Sequence, residues 1–466
     1  MGDERQTRSR DRDGAAAPPT PSHPSSSPGP RHRMEEEERP FPSGRSKIVQ
    51  PLKLRDFSLL WAGMTVSMLG DGIYFVAIAW QVLRLSNAPT ALSAVGVAWT
   101  LPQVVFLLVG GVVSDRLDRR TILLASDVVR GLAIGALGLL SVSGILELWH
   151  IVALVAIYGA GEAFFMPAFG AIVPDIVPQD LLVEANALDQ FVRPVAFRLL
   201  GPALGGLLVA VWGPGEAFLI DGASFALSAV CVLLMRSQRR AVATLSTSVR
   251  SEIVQGFAFV RSQTWLWGTL AAAAVAQLCF AGPLQVLLPL LVRENIGGGA
   301  GAYGFILAVG GVGSIMASLT VSQQGLPRRQ ITFMYLNWAV GTFVISYYAI
   351  AEEVWEAMLT SLVIGASFTT GLIVWGTIMH RLVPPELLGR VSSFDWLVST
   401  SLTPLSFALT GPVALALGNK ATIALAGVLG GVAVLAFLAL PGLRGAEASG
   451  AHLASARVNG ESDAAP

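Results

Sequence analysis

Two carboxylic acids stand where an acid is expensive. Asp71 interrupts the apolar run 57–83, between Gly70 and Gly72, and Glu162 interrupts the run 149–172, beside Gly159 and Gly161. Neither has a Lys or Arg within one helical turn on its own segment. If these runs are helices crossing a bilayer, Asp71 lies about 21 Å along from Phe57, near the middle of the hydrocarbon. An ionisable side chain at that depth is costly and marks an ion pathway or a substrate contact by default. Asp71 and Glu162 are therefore the first candidates for proton coupling or substrate binding. The plainer alternative for each is a structural hydrogen bond between helices.

Other charges within apolar runs read differently. Asp127 and Arg130 are spaced i,i+3 in 121–143 and can pair on one helix face. Asp189 and Asp395 open the runs 187–211 and 391–416 and should take basic partners, with Arg193 and Arg198 close enough to serve Asp189. Asp221 lies towards the end of its run and is expected to reach the membrane interface. The second half of the chain has no mid-run acid. Its polar candidates are Gln277, Gln285, Asn337, Thr369, Thr370 and Trp375. Neutral polar groups beside aromatics suit an amphipathic organic ligand, or else they hydrogen-bond between helices.

The elements that must position these groups follow from the composition. The 466 residues are 53% hydrophobic and only 13% charged, with a mean hydropathy of +0.62. Soluble domains carry about 25% charged residues, so lipid is the solvent for most of this chain. Spanning takes about 20 apolar residues. Twelve runs qualify: 57–83, 92–113, 121–143, 149–172, 187–211, 216–236, 266–292, 302–322, 330–350, 354–379, 391–416 and 421–441. The fold class expected is an all-α membrane protein of twelve transmembrane helices in two six-helix halves. Residues 1–44 and 444–466 read as disordered tails, 45–236 as the first half, 237–262 as a basic amphipathic linker and 263–443 as the second half. Met34 is an alternative start. Cys231 and Cys279 lie inside apolar runs and read as small core residues.

Basic residues cluster on one side of the runs, from Lys53 and Arg55 through Arg116, Arg236, Arg328 and Arg390 to Arg444, while the other side has only Arg84, Arg293 and Lys420. Positive loops stay inside, so both termini are expected in the cytoplasm of a cell whose inner (plasma) membrane holds the protein. An internal repeat supports the two halves. The stretch from Val177 to Leu182, VPQDLL, returns as VPPELL from Val383 to Leu388, an offset of 206 residues. The same offset carries Asp189 onto Asp395, Gly205 onto Gly411 and Asp71 onto Gln277.

Two motifs resemble a known family. The loop with Gly111, Asp115, Arg116, Asp118, Arg119 and Arg120 resembles the signature of the major facilitator superfamily, with Asp118 where that pattern has glycine. The stretch Gly201, Pro202, Gly205 and Gly206 resembles the glycine–proline motif that facilitator-type antiporters carry in the fifth span. Pro178, Asn186, the run from Phe218 to Asp221 and the run from Leu388 to Val391 are similar to a branch that includes siderophore exporters and macrolide and multidrug efflux proteins. The resemblance implies a cavity between the halves near the midplane. It also implies a gate in which the Gly111–Arg120 loop latches the halves on the cytoplasmic side, and a lean to export.

The expected activity is secondary active transport of small amphipathic organic molecules, driven by protons. The partners are membrane lipid, the small-molecule substrate and protons, with no nucleic acid, and the protein acts as a monomer. No phosphate loop and no His/Cys cluster at metal spacing occurs, so neither ATP hydrolysis, another enzyme activity, a metal nor a cofactor is expected. An uncoupled facilitator or lipid translocator is the alternative within transport. A membrane sensor or scaffold that moves nothing is the alternative outside it.

Overall fold

The structure is a computed structural model that describes residues 49–236, 249–445 and 447. Residues 1–44 and most of 444–466, expected as tails, lie outside the described residues. Arg444, Gly445 and Glu447 do not follow that expectation. Glu447 accepts hydrogen bonds from the backbone N–H of Thr332 at 2.7 Å and from its hydroxyl at 3.1 Å. The carboxylate thereby satisfies a helix N-terminus that lacks a capping side chain of its own.

Among the described residues, helices account for the regular structure. They are α1 Arg55–Leu85, α2 Pro89–Arg116, α3 Arg119–Val142, α4 Leu148–Ile176, α5 Gln179–Val211 and α6 Pro214–Leu234. The second half has α7 Thr264–Glu294, α8 Ala300–Gln324, α9 Gln330–Ile345, α10 Val354–Leu382, α11 Pro385–Leu417 and α12 Asn419–Leu438. Eleven of these are long and apolar enough to cross a membrane. The remaining crossing, α9, is a 16-residue helix prolonged by a 3-10 turn, Ser346–Ala349. The twelve-span reading therefore holds, with ends that extend beyond the apolar runs.

Local chemistry explains the boundaries. Proline opens α2, α6 and α11, where its missing N–H costs nothing. Glycines at positive φ, Gly213 at 115° and Gly418 at 87°, turn the chain into α6 and α12. Capping boxes at Glu147 and Glu353 begin α4 and α10. These two glutamates are 206 residues apart, so the repeat seen in the sequence recurs in the helix starts. Part of the linker, Val249–Ser262, is a helix. Phe257 packs against Phe394 and Arg390 donates to Gln255 at 2.6 Å, which docks it on α11.

Packing differs at the two ends. At the end opposite Arg55 and Arg444, one apolar core joins both halves, with Ile73, Leu83, Val95 and Phe218 meeting Val286, Leu291, Tyr303 and Phe407. At the end that carries the basic residues, each half keeps its own core, around Phe57, Leu60 and Phe169 in the first and Trp265, Tyr335 and Ile378 in the second. The halves are thus sealed together at one end and separate at the basic end.

Glycines bring the halves into contact along two lines. A Cβ on Gly96 of α2 would lie 2.0 Å from the Phe407 ring of α11, and one on Gly411 would lie 2.7 Å from the Ser93 hydroxyl. A Cβ on Gly304 of α8 would lie 2.4 Å from the Pro202 carbonyl and 2.7 Å from the Gly206 Cα of α5. At Gly304 the two backbones themselves touch, and at Gly96 the missing side chain admits the Phe407 ring.

Candidate functional site

The four helices α1, α3, α4 and α6 converge on one arginine. Arg130 Nη2 donates to Asp127 Oδ1 at 2.7 Å, as the i,i+3 spacing leads one to expect. Asp127 Oδ2 accepts from the Ser228 hydroxyl at 2.7 Å. Phe165 and Phe225 cover the two faces of the guanidinium, with centroids 4.3 and 4.5 Å from its carbon. Arg130 and Asp127 are 3% and 0% exposed, so the pair lies inside the half and not on the cavity wall. Glycine makes room for it: a Cβ on Gly161 would come within 2.9 Å of the Arg130 side chain.

Asp71 and Glu162 sit in front of this pair and are only half-buried. Asp71 Oδ1 accepts from the Tyr158 hydroxyl at 2.6 Å, and Glu162 Oε2 accepts from Trp99 Nε1 at 2.9 Å. Each acid has a hydrogen-bond donor but no cation in direct contact. The Arg130 charge acts on both from behind.

Asp221 overturns the expectation that it reaches the interface. It is fully buried between α1 and α6, where Ser224 donates to its Oδ1 at 3.1 Å. Its Oδ2 has no hydrogen-bond partner. Gly70 is what admits it, since a Cβ there would lie 2.2 Å from Asp221 Oδ1. Asp221 also feels Arg130 and Asp71. Four carboxyls therefore share one guanidinium. Sequence reading missed this fourth member because its place along α6 gives no depth; the glycine facing it on α1 was the available signal.

The described side chains of the loop motif make their contacts within the first half. Arg119 pairs with Asp175 and donates to the Ala171 carbonyl, and Arg120 donates to the Val232 carbonyl at 2.9 Å. These contacts tie α3 to α4 and to the end of α6, all within the first half. Asp118, where the family pattern has glycine, caps α3 by accepting from the Thr121 N–H and hydroxyl. A Cβ on Gly111 would meet nothing within 4 Å, whereas one on Gly110 would lie 2.5 Å from the Ala163 carbonyl. Close helix approach belongs to Gly110. The side chains of Asp115 and Arg116 lie outside the described residues.

The fifth-span glycines each have an address. Gly201 meets Gly72 of α1, Gly205 meets Ile73 of α1, and Gly206 meets Ala300 and Gly304 of α8. Pro202 follows a π-helical segment, Arg193–Leu200. Asp189 pairs with Arg193 at 2.9 Å, and Arg198 makes no such pair. Asp395 departs from its symmetry mate: its partners are the Trp375 indole at 3.0 Å and the Ser399 hydroxyl at 3.2 Å, not a base.

The other second-half candidates divide. Gln285 lines a narrow cavity of about 50 Å³ near the sealed end, shared with Tyr74, Phe75, Trp99, Tyr303 and Phe407. Gln277 donates to Thr403 at 3.4 Å, Asn337 donates to its own helix at Phe333, and Thr370 is buried. Thr369 is half-buried. A larger cavity of about 310 Å³ opens at the basic end between α1, α4 and α5, with Trp61, Phe169, Asp189 and Arg193 on its walls. Arg293, one of the few bases on its side of the sequence, crosses between the halves at the sealed end. Its Nη1 donates to the Leu83 carbonyl at 2.6 Å and to Asn87 Oδ1 at 3.1 Å.

Twelve helices in two related halves, sealed together at one end and separate at the other, with an acid cluster at membrane depth within the first half, define a transporter of alternating-access architecture. The chain belongs to the major facilitator superfamily: residues 46–463 match the family described as transmembrane secretion effector. It is 26% identical over 386 residues to the multidrug efflux pump Tap of Mycolicibacterium fortuitum, covering 80% of this chain and 91% of that one. It is 23% identical over 377 residues to macrolide efflux protein A of Streptococcus pyogenes, covering 80% and 93%. Among solved structures it resembles a bacterial homologue of the human lysosomal transporter Spinster in an inward-facing, unoccupied conformation. The TM-score is 0.64 at 14% identity, over 85% of this chain and 97% of that one. The protein is a multi-pass membrane transporter of the major facilitator type, not an enzyme.

Proposed function

We propose that the protein exports small amphipathic organic molecules in exchange for protons. It acts as a monomer in the inner membrane, with the basic end and both termini in the cytoplasm. The observation that carries this reading is the ratio of four carboxyls to one guanidinium at membrane depth. Asp127 takes the arginine by direct contact. The three remaining acids cannot all hold uncompensated charge in a low dielectric. Asp71 and Glu162, which are half-buried whereas Asp127 and Asp221 are fully buried, are the pair that exchange protons with the substrate pathway. Tyr158 and Trp99 hold them in place by donating to one oxygen of each, which leaves the other oxygen free to bind a proton.

Export is supported by the lean of the fifth-span motif and by the efflux names of the relatives. The large cavity at the basic end admits substrate from the cytoplasm. Protonation of Asp71 or Glu162 from the far side and release inside would drive the return. The test is uptake into everted vesicles, the equivalent of cellular export, under an imposed pH gradient, with wild type against Asp71→Asn and Glu162→Gln. Loss of gradient-dependent uptake in either variant is expected. Full retention in both variants would remove the mechanism, and transport of a phospholipid analogue that ignores a collapsed gradient would favour an uncoupled lipid translocator instead.

A further inference from the structure

The proton-coupling acids leave one membrane-depth charge unused. We infer that Arg198 is the anchor for an acidic group on the transported molecule, so that the substrate is an amphipathic organic anion. This rests on the transporter reading and names the substrate class for it.

Arg198 lies at membrane depth. Its neighbour one turn on, Gly201, abuts Gly72, the residue after Asp71, and its own carbonyl lies 2.5 Å from the Cβ position of Gly311 in the middle of α8. A headgroup is about 15 Å away from that level, more than twice the length of an arginine side chain. Snorkelling to the interface does not relieve the charge.

Arg198 also faces inward. The lipid side of α5 is marked by Leu200, Leu204, Leu207 and Val211, all exposed. At about 100° per residue Arg198 sits roughly 160° from Leu200, on the far side of the helix. That direction falls between the contacts of Gly201 and Gly205 with α1 and of Gly206 with α8. Between those lines is the space that separates the halves. Arg198 is exposed there.

Nothing neutralises it. Arg119, Arg130 and Arg193 each pair with an aspartate. Among the described residues Arg198 makes no hydrogen bond or ion pair, and no acidic group acts on it. Asp71 and Glu162 are held by Tyr158 and Trp99 instead. Arginine is a permanent cation with a planar fork suited to carboxylate, phosphate or sulfonate. A cation kept free at mid-membrane is a functional group by default.

The backbone is adapted to present it. Arg198 lies in the π segment Arg193–Leu200, and Pro202 has no N–H to offer the Arg198 carbonyl. The Gly201 N–H reaches back to the Ala196 carbonyl instead. Such widened turns concentrate at functional sites. Beside it, Phe197 stacks edge-on against Phe75 at 5.4 Å, and Phe75 against Trp99 at 5.2 Å. An acid head at Arg198 therefore has an aromatic wall adjacent for its apolar body.

The test uses two dyes that differ only in the acid. Full-length protein in nanodiscs is titrated with 8-anilinonaphthalene-1-sulfonate and with its sulfonate-free counterpart N-phenyl-1-naphthylamine, with empty nanodiscs subtracted. Wild type should bind the sulfonate at least tenfold more tightly. Arg198→Gln should abolish that preference and leave the neutral dye unchanged, and Arg198→Lys should restore part of it. No preference in wild type, or equal loss of both dyes in Arg198→Gln, overturns the inference. Arg198→Lys also serves should Arg198→Gln fail to give monodisperse protein. Everted-vesicle uptake with Asp71→Asn and Glu162→Gln reads the proton-driven mechanism independently, so failure there leaves the dye preference intact.

Discussion

Replacing Arg293 with alanine should unlatch the sealed end. Two hydrogen bonds are lost, to the Leu83 carbonyl at 2.6 Å and to Asn87 Oδ1 at 3.1 Å. The first is charge-assisted, partly buried, and made to one of the last carbonyls of α1, where a cation also meets the negative end of the helix dipole. Such a bond contributes about 1.5–3 kcal/mol. The second is exposed and adds at most about 1 kcal/mol. If both exist only while this end is closed, their loss shifts the balance between end-states by about 2–3 kcal/mol, or roughly 30- to 150-fold. The assay is double electron–electron resonance in a Cys231→Ser, Cys279→Ser background. Spin labels go on Val183 of α5 and Glu386 of α11, both exposed at the basic end. Arg293→Ala should move a large fraction of the distances to shorter values, as the basic end closes. Arg293→Lys should fall between. A distance distribution that overlays wild type under the same conditions would refute the latch.

Other perturbations have equally direct outcomes. Arg130→Met should lower thermal stability by about 3–5 kcal/mol because Asp127 is left buried and unpaired, whereas Asp127→Asn with Arg130→Met should recover much of that in a thermal-unfolding assay. Gly304→Leu should abolish transport and reduce monodisperse yield, because even a Cβ would lie 2.4 Å from the Pro202 carbonyl; efflux equal to wild type would show that α5 and α8 can part at no cost. Asp71→Asn should make uptake into everted vesicles insensitive to the external pH over the range in which wild type responds, and an unchanged profile would assign the response elsewhere.

The fold was legible from hydropathy alone, since only long apolar helices satisfy their own backbone in lipid. Pairings within a helical turn were legible for the same reason: Asp127 with Arg130 and Asp189 with Arg193 follow from spacing. Contacts between helices were not. The depth of Asp221 depends on Gly70 of another helix, and the partner of Asp395 is an indole on α10. The loop arginines were legible as a motif, but their targets, Asp175 and the end of α6, were not. Arg198 shows the limit in a single residue. A little over one turn beyond Arg193, it reads as another partner for Asp189, and the π turn with Pro202 places it elsewhere.

The two glycine crossings between the halves, Gly96 on Phe407 and Gly304 on Gly206, also act as the bearings of a lever. Gly96 lies seven residues into α2 and Gly304 four residues into α8, each counted from the sealed end. Both helices run 20 residues further to the basic end. A line through the two crossings therefore has an arm of about 10 Å or less on one side and about 30 Å on the other. Rotation about it magnifies motion at least threefold towards the cytoplasmic face proposed above. If the protein exports as proposed, the molecule would swing wide where cargo enters and open only a slot where cargo leaves, which favours loose capture from a crowded interior and a narrow exit that limits back-leak.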